Sequence, residues 1–333
     1  MPPTPEQRRI LELAQGFRSA AVVIAVAELG IGERLAAGPL ATAQLATAIG
    51  AEPTALARLL RAAAALDLVR ETAAGWQLTE LAAETLVPSS PRSLAHFLAN
   101  QAAFYRRWGL LTEAVRTGRA PEASRREEDR ADWVRRFTLM LYEIARTTSE
   151  EIAAALLPLL AETPRPRILD LGGGHGEYAM ALARLRDDLE AVVFDLPSVV
   201  AVTQELVASQ ALANRVHAVA GDFFRDPLGE GYRLVLLFGV LNGMGDEEAR
   251  TLLRRVRAAL APGGWLAIRT TPREPSPQAR LQHALMDLQM LLATERGRNP
   301  TAEELEQWLS KAGFSALEWR TVDPTTALLL ARR

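Results

Sequence analysis

The sequence predicts an α/β fold in which a helical N-terminal domain precedes a doubly wound parallel sheet covered by helices. The first observation is that strand-like apolar runs alternate with helical patterns beyond Pro164, as in parallel α/β sheets. The second is that apolar residues before Pro164 recur at helical spacing. The predicted strands cover residues 167–171, 191–195, 215–220, 233–238 and 264–270.

The N-terminal region follows the order helix, turn, helix and two-stranded wing, which is that of a winged-helix module. The pattern predicts a helix over 6–36, a short helix starting at Thr42 and a helix through Ala65 that Thr54 caps. It also predicts strand-like segments at 68–70 and 75–78 and a helix capped by Thr79. A DNA-binding module needs a basic surface, but the second helix offers mainly Arg58 and Arg61 and no basic wing follows. The alanine-rich helices favour instead a surface for association with a partner chain.

Composition limits the classes of function. A chain of 333 residues suggests about two domains, and its net charge of −2 gives no electrostatic case for binding nucleic acid. The absence of cysteine excludes disulfides and thiolate chemistry, and the four histidines show no metal-ligand spacing, so we expect no metal. The start lacks a signal-peptide pattern and the apolar run 20–31 is too short to span a bilayer, so we expect a cytoplasmic protein that binds no membrane.

Two further helical patterns, 94–119 and 131–160, flank a charged stretch at 122–129 that is predicted to be a solvated loop. The second pattern carries residues with large, adaptable side chains. They fit either core packing or the wall of a pocket for a flat organic ligand, since aromatic rings and thioethers suit such ligands. These residues are Trp133, Phe137 and Met140.

A glycine turn follows the first predicted strand, in the stretch Asp170-Leu-Gly-Gly-Gly-His-Gly176. Asp195 and Asp222 end the next two strands, so all three features fall at the carboxyl edge of the sheet, where such sheets bind ligands. The dinucleotide fingerprint would place its third glycine at Glu177, whose carboxylate at a helix start would repel a pyrophosphate. The acids suit a ligand without phosphate and with a positive centre, and S-adenosylmethionine fits.

With these motifs the chain resembles the S-adenosylmethionine-dependent small-molecule methyltransferases that carry an N-terminal winged-helix dimerisation domain. This family includes acetylserotonin, caffeate and antibiotic O-methyltransferases. The resemblance also rests on the motifs Phe194-Asp-Leu-Pro197, Gly221-Asp-Phe-Phe224, Leu260-Ala-Pro-Gly-Gly264 and Ala312-Gly-Phe314. It implies a homodimerising winged-helix domain at 1–95, a helical connector lining the substrate pocket at 96–160, and a Rossmann-like class I methyltransferase domain at 161–333.

The resemblance also implies the roles of the cofactor-binding residues. The glycines of the turn would let the backbone approach the methionine moiety, Asp195 would accept hydrogen bonds from the ribose hydroxyls, and Asp222 would read the adenine amino group with Phe223 against the ring. The full set is Asp170, Gly172, Gly174, Gly176, Asp195, Leu196, Asp222 and Phe223. S-adenosylhomocysteine would be the product.

The chain departs from the family at the general base, because Asn242 stands where the family's His-Asp-Trp motif has its histidine. An amide cannot accept a proton at neutral pH. Three explanations remain open: His283 replaces the family's histidine as the catalytic residue, the acceptor is carbon or an acidic hydroxyl that needs no strong base, or alignment of the reactants suffices. Arg269, at the end of the fifth strand, is either a solvated strand end or a partner for an anionic group.

The sequence therefore predicts transfer of a methyl group from S-adenosylmethionine to oxygen or carbon of a small aromatic or polyketide-like metabolite. The alternative is a protein that binds the cofactor but hydroxylates, decarboxylates or cyclises a natural product. Asn242 and His283 are the predicted catalytic residues. Substrate contacts are predicted from Trp133, Phe137, Met140, Asp287 and Met290.

Overall fold

The computed structural model describes residues 2–122, 131–294 and 297–333. The chain divides into two compact units, residues 1–105 and 106–333. The predicted boundary between a dimerisation domain and a connector, at 95/96, lies ten residues before the boundary between these two units. The connector as a separate domain stays a prediction. The predicted charged loop at 122–129 lies, beyond Glu122, outside the described residues.

Unit 1 is a helical domain with a two-stranded antiparallel wing, as the pattern predicts. Its helices are Pro5–Gln15, Phe17–Glu28, Ile31–Ala36, Thr42–Ile49, Pro53–Ala65 and Glu80–Thr85, and its strands are β1 (Val69–Thr72) and β2 (Gly75–Leu78). The predicted helix over 6–36 is interrupted at Gly16 and at Gly30, whose left-handed φ of 65° ends a regular helix. The core of this unit contains Ile31, Leu45 and Leu60.

The cap predicted at Thr54 is wrong, because the carboxylate of Glu52 caps this helix. Glu52 Oε1 accepts a hydrogen bond from the Thr54 N–H at 2.9 Å and Oε2 accepts one from the Ala55 N–H at 2.6 Å. Pro53 occupies the first helical position, where its fixed φ suits a helix start and its missing N–H is not needed. The cap predicted at Thr79 is confirmed, since its Oγ1 accepts from the Ala82 N–H at 3.2 Å.

The first helices of unit 1 form a longer apolar stretch than the sequence analysis considered. By length and composition alone, Pro5–Glu28 is long and apolar enough to cross a membrane. Of the most apolar 18-residue stretch within it, 6% is buried. The helix Pro5–Gln15 has no buried residue, and Ile10 and Leu13 are 65% and 59% exposed. An apolar surface therefore remains uncovered in the single chain.

Unit 2 contains a seven-stranded sheet of order β5-β4-β3-β6-β7-β9-β8. The strands are β3 (Arg167–Leu171), β4 (Glu190–Asp195), β5 (Val216–Ala220), β6 (Tyr232–Phe238), β7 (Leu260–Thr270), β8 (Ser315–Asp323) and β9 (Thr326–Arg332). Strands β3 to β7 are parallel, and β9 pairs antiparallel with both β7 and β8. The predicted α/β fold with its five parallel strands is confirmed, whereas the β8–β9 hairpin was not predicted.

Helices cover both faces of this sheet and fill two apolar layers. The helices that contribute to these layers are Ala131–Arg146, Ser149–Leu156, Glu177–Leu185, Pro197–Ser209, Asp246–Ala259 and Ala302–Lys311. Unit 2 also contains the helices Leu111–Thr117 and Pro277–Ala293, and the helix Ala95–Trp108 begins in unit 1. Leu234 and Leu236 of β6 face one layer, while Val235 and Leu237 face the other. This alternation on a central strand fixes the register that brings the ends of β3 to β7 to one edge.

Candidate functional site

The turn after β3 requires glycine at three positions. Gly172, Gly174 and Gly176 have φ of 65°, 52° and 70°, a region that L side chains rarely adopt. A Cβ at Gly172 would lie 2.6 Å from Cγ2 of Val240, and one at Gly176 would lie 3.2 Å from Cγ2 of Thr203. A Cβ at Gly174 would meet no atom within 4 Å, so the backbone is open to another molecule there.

Asp195, at the end of β4, holds this turn in place. Its Oδ2 accepts a hydrogen bond from the Gly174 N–H at 2.8 Å, and its Oδ1 accepts one from the Leu196 N–H at 2.7 Å. On the other side, the Thr203 hydroxyl donates to the Gly174 carbonyl. Burial raises the pKa of Asp195, against the effect of its two backbone hydrogen bonds. Both polar groups of the Gly174 backbone are thus fixed before any ligand binds.

Asp170, within β3, is buried beside the turn with an unpaired oxygen. It is 1% exposed, and its Oδ2 has no hydrogen-bond partner among the described residues. Burial, and secondly the charge of Asp195, raise the pKa of Asp170 to about 7. A buried carboxylate without a partner is costly. This position therefore favours a ligand that brings a positive charge or a hydrogen-bond donor.

The third acid, Asp222, follows β5 and stabilises its own turn. Its Oδ1 accepts from the Phe224 N–H at 2.8 Å, and its Oδ2 lies 3.5 Å from Nε of Arg225. Phe223 lies next to the glycine turn, since its Cε1 would be 3.9 Å from a Cβ at Gly172. The predicted cofactor residues on β3, β4 and β5 thus meet at one edge of the sheet.

His175 and Glu177 are structural residues of this edge. His175 Nδ1 accepts from the Glu177 N–H at 3.0 Å, and burial, with the charge of Arg269, lowers the pKa of His175 to about 3. The ring is therefore neutral at physiological pH. The Glu177 carboxylate, which we expected to repel a pyrophosphate, accepts from the Ser149 hydroxyl at 2.9 Å and pairs with Arg184.

Aromatic rings and one cation lie beside His175. The Tyr178 ring is 5.6 Å from the His175 ring and meets the Phe238 ring edge-on at 4.9 Å. Arg269, at the end of β7, is half-buried, and its Nε has no hydrogen-bond partner among the described residues. The interpretation of Arg269 as a solvated strand end is therefore wrong, and a buried unpaired N–H is available to an anionic group.

Asn242 and His283, the predicted catalytic residues, contact the same short segment. The Arg298 N–H donates to the Asn242 carbonyl at 2.9 Å, and Nδ2 of Asn299 lies 3.0 Å from Nδ1 of His283. The Asn299 N–H donates to Oδ1 of Asp287 at 2.8 Å. The segment 297–299 therefore connects two predicted catalytic residues and one predicted substrate residue.

Asn299 is the site residue that the sequence analysis missed. Asn299 lies 16 residues after His283 in the sequence, and no spacing or composition indicates that Asn299 is a site residue. The segment 297–299 contacts the loop after β6, and the same loop contacts the glycine turn. Val240, two residues before Asn242, would contact a Cβ at Gly172, while a Cβ at Gly297 would lie 3.1 Å from the Asn242 carbonyl oxygen.

The other predicted substrate residues lie on two helices. On Ala131–Arg146, the Trp133 and Phe137 rings stack at 4.7 Å with an interplanar angle of 11°, and Met140 is buried. On Pro277–Ala293, Met290 is half-buried and Asp287 is exposed. Within the described ranges, no group of three or more histidine or acidic side chains is placed to hold a metal ion.

Two protein families match the chain in the order of its two units. The O-methyltransferase domain matches residues 110–315, and the O-methyltransferase dimerisation domain matches residues 11–88. This chain belongs to the O-methyltransferase family. The O-methyltransferase domain covers the whole candidate site, so the glycine turn and the loop with Asn242 lie inside the matched region.

Individual relatives match this O-methyltransferase over almost its whole length. The 3-hydroxy-5-methyl-1-naphthoate 3-O-methyltransferase of Streptomyces sahachiroi is 31% identical, over 94% of this chain and 90% of the relative. Acetylserotonin O-methyltransferase of Mus musculus is 34% identical, over 98% of this chain and 88% of the relative. The crystal structure of human N-acetylserotonin methyltransferase in complex with SAM has a TM-score of 0.86 at 28% identity, over 99% of this chain and 98% of the human chain.

S-adenosylmethionine is the cofactor of this O-methyltransferase, and the residues of the site fit it. The unpaired oxygen of Asp170 suits a cationic group, and the open backbone at Gly174 permits close approach. Phe223 offers an aromatic face beside the same turn. The predictions of a methyltransferase, of its cofactor and of its family are confirmed.

Proposed function

We propose that this enzyme transfers the methyl group of S-adenosylmethionine to a hydroxyl oxygen of a small aromatic metabolite. One observation carries the proposal: the open backbone of Gly174, the unpaired oxygen of Asp170 and the loop of Asn242 meet at one edge of the sheet. The similarity to the 3-hydroxy-5-methyl-1-naphthoate 3-O-methyltransferase of Streptomyces sahachiroi supports an aromatic hydroxyl as the acceptor.

The chain's own residues bind and orient the cofactor. Asp170 accepts a hydrogen bond from its positively charged methionine portion, and Asp195, whose oxygens each hold one backbone N–H, has lone pairs left for the ribose hydroxyls. Asp222 and Phe223 contact the adenine. Gly172, Gly174, Gly176 and Leu196 supply backbone that approaches the cofactor closely.

The reaction forms one bond and breaks one. S-adenosylmethionine supplies the methyl group when it is bound. The acceptor oxygen bonds to the methyl carbon while the carbon–sulfur bond breaks, S-adenosylhomocysteine is the product, and the hydroxyl proton passes to solvent. Alignment of the two reactants supplies much of the lowering of the barrier, because a correctly oriented pair can gain several orders of magnitude in rate.

We propose that this transfer proceeds without a histidine base at position 242. The Asn242 side chain is an amide and cannot take a proton at neutral pH. Its backbone carbonyl already accepts from Arg298, which fixes the loop and leaves the side chain to orient the acceptor. Trp133, Phe137, Met140 and Met290 provide the flat and adaptable surfaces of the acceptor pocket.

We also propose that the enzyme is a homodimer. The dimerisation domain matches residues 11–88, and the exposed apolar residues of Pro5–Glu28 are adjacent to or inside this range. Covering these residues with a second copy removes apolar surface from water. A dimer interface thus explains the exposed apolar residues of Pro5–Glu28, and no membrane contact is needed to explain them.

The test is an activity screen with product identification. The purified enzyme is incubated with S-adenosylmethionine and a panel of hydroxylated naphthoates, benzoates and indoles. The expected result is S-adenosylhomocysteine together with an acceptor heavier by one CH₂, whose methyl signal in NMR is that of a methoxy group. A C-methyl signal would overturn the oxygen assignment. Cofactor binding without methylation of any acceptor would contradict the proposed acceptor class.

A further inference from the structure

The ring of His283 is fixed through one of its two nitrogens. Nδ1 lies 3.0 Å from Nδ2 of Asn299 and 3.1 Å from Oγ1 of Thr271. Its Nε2 has no hydrogen-bond partner among the described residues, and the ring is half-buried. His283 also lines a cleft of about 190 Å³ between the end of β7 and the start of the helix Ala302–Lys311.

The orientation of the Asn299 amide determines the role of Nδ1. The same Nδ2 atom lies 3.4 Å from the His283 backbone carbonyl, so its two hydrogens face two acceptors, the carbonyl oxygen and Nδ1. Exchanging the amide oxygen and nitrogen would place two oxygens face to face. The amide therefore donates to Nδ1, and Nδ1 carries no hydrogen.

A neutral histidine whose Nδ1 accepts hydrogen bonds carries its proton on Nε2. Such a ring is a hydrogen-bond donor at its free nitrogen, and its only lone pair is already engaged by Asn299 and Thr271. A base needs a free lone pair directed at the proton it removes. The surroundings of His283 thus favour donation over proton abstraction.

The backbone of Asn299 and of the preceding residue is held by two hydrogen bonds. The Asn299 N–H donates to Oδ1 of Asp287, four residues after His283 on the same helix, and the preceding Arg298 N–H donates to the Asn242 carbonyl. The Arg298 side chain pairs with Asp246 at 3.0 Å and with Glu304. The position of Asn299 therefore depends on both the helix of His283 and the loop of Asn242.

We propose that Asn299 and Thr271 are positioning residues that hold His283 as a hydrogen-bond donor, through Nε2–H, to the acceptor oxygen. This rests on the proposed function. The donor stabilises the oxygen after its proton has passed to solvent; that oxygen then bonds to the methyl carbon as the carbon–sulfur bond breaks. His283 keeps its proton throughout, so it replaces the missing base by favouring the ionised acceptor and not by removing the proton.

The first arm of the test reads the tautomer directly, without any acceptor. Two-bond ¹⁵N–¹H correlation spectra are recorded for the full-length protein, and His283→Gln assigns the His283 signals by their loss. We expect a protonated Nε2 and an unprotonated Nδ1. Asn299→Asp has nearly the same shape but only accepts, so it is expected to move the proton to Nδ1. A wild-type ring protonated on Nδ1, or an unchanged tautomer in Asn299→Asp, would overturn the proposal.

The second arm measures kcat and KM with the acceptor that the screen identifies. His283→Ala is expected to lower kcat on the order of 100-fold, as loss of a donor to a developing oxyanion does, while His283→Gln, a donor but not a base, stays within about tenfold of the wild type. Asn299→Asp, which turns Nε2 into an acceptor, is expected to lower kcat as His283→Ala does. If Asn299→Asp raises kcat, or if His283→Gln is as inactive as His283→Ala, His283 is a base and the proposal fails.

The two arms separate this proposal from the proposed function. Binding of S-adenosylhomocysteine, followed by calorimetry, verifies that each variant is folded. If no acceptor is methylated, the proposed function fails while the NMR spectra still decide the tautomer. If acceptors are methylated and the spectra show Nδ1 protonated, the function stands and the role assigned to Asn299 is wrong.

Discussion

The carboxyl group of Asp170 makes stability depend on pH in an unusual direction. Its pKa rises from 3.8 to about 7 on folding, so between these values the native state binds more protons than the unfolded state. The free energy of unfolding from this group therefore falls as pH rises through that window, by an amount on the order of 4 kcal/mol. Most paired acids contribute in the opposite direction.

We predict that Asp170→Asn becomes more stable relative to the wild type as pH rises from about 5 to about 8. The amide cannot ionise, so the variant lacks the cost of burying a charge without a partner. Chemical denaturation of both proteins across this range measures the difference. A difference that is constant with pH would show that Asp170 does not titrate in this window.

The same residue predicts how the cofactor binds. A cationic group beside Asp170 favours the ionised carboxylate, so binding should release a proton near neutral pH, and affinity for S-adenosylmethionine should increase from about pH 6 to about pH 8. Asp170→Asn should bind more weakly and with little pH dependence. Calorimetry in buffers of different ionisation enthalpy measures the proton release. An equal pH dependence in wild type and variant would exclude Asp170 as its origin.

At the residue scale, the sequence predicted what is local and missed what depends on tertiary contact. The three glycines and Asp195 follow directly on predicted strands, so their convergence at one edge was predictable. Asn299 was not, because its role comes from one side-chain contact with His283 and one backbone contact that ties its segment to Asn242. Arg269 was misjudged for a related reason, since only packing shows that its Nε is buried.

At the element scale, the glycine turn after β3 allows a matched comparison of substitutions. Gly174 and Gly50 both have left-handed φ, 52° and 68°, and a Cβ at either would meet no atom within 4 Å. Alanine at either position therefore costs about 1 kcal/mol of stability through backbone strain alone. Gly50 lies at the end of the helix Thr42–Ile49, in the other unit of the chain.

We predict that Gly174→Ala weakens binding of S-adenosylmethionine at least tenfold while Gly50→Ala leaves it unchanged. The added methyl group occupies the space through which the cofactor reaches the backbone, and one bad contact of this kind costs more than 1.4 kcal/mol, the equivalent of tenfold. Calorimetric titration of both variants, with thermal unfolding as a check of folding, gives the result. Equal affinities would mean that the cofactor does not approach Gly174.

The elements themselves were predicted unevenly, for a physical reason. The five parallel strands were found because each is an apolar run followed by a turn. The β8–β9 hairpin was missed because β9 is a buried apolar run without alternation, which does not distinguish strand from helix. Its turn is made by Asp323, whose Oδ1 accepts from the Thr325 and Thr326 N–H groups, a local signal that the sequence does contain.

At the scale of the whole molecule, the uncovered apolar residues of the N-terminal helices predict how two copies associate. Ile10 and Leu13 on the helix Pro5–Gln15 and Phe17 at the start of the next helix are 65%, 59% and 53% exposed in the single chain. Large apolar side chains that are exposed close together in the sequence indicate an interface. The dimerisation domain match at 11–88 includes two of the three residues.

We therefore expect the wild type to sediment as a dimer, and Ile10→Ser, Leu13→Ser and Phe17→Ser combined to shift it towards monomer at micromolar concentration. Each replacement removes apolar area whose burial stabilises the dimer by about 25 cal/mol per Å². Leu185→Ser is the control, because Leu185 is 50% exposed at the end of a helix in the other unit. Sedimentation velocity distinguishes the species, and flotation with lipid vesicles tests the other use of an apolar stretch this long. A triple variant that remains dimeric would place the interface elsewhere, whereas vesicle binding that the triple variant loses would assign this surface to a membrane.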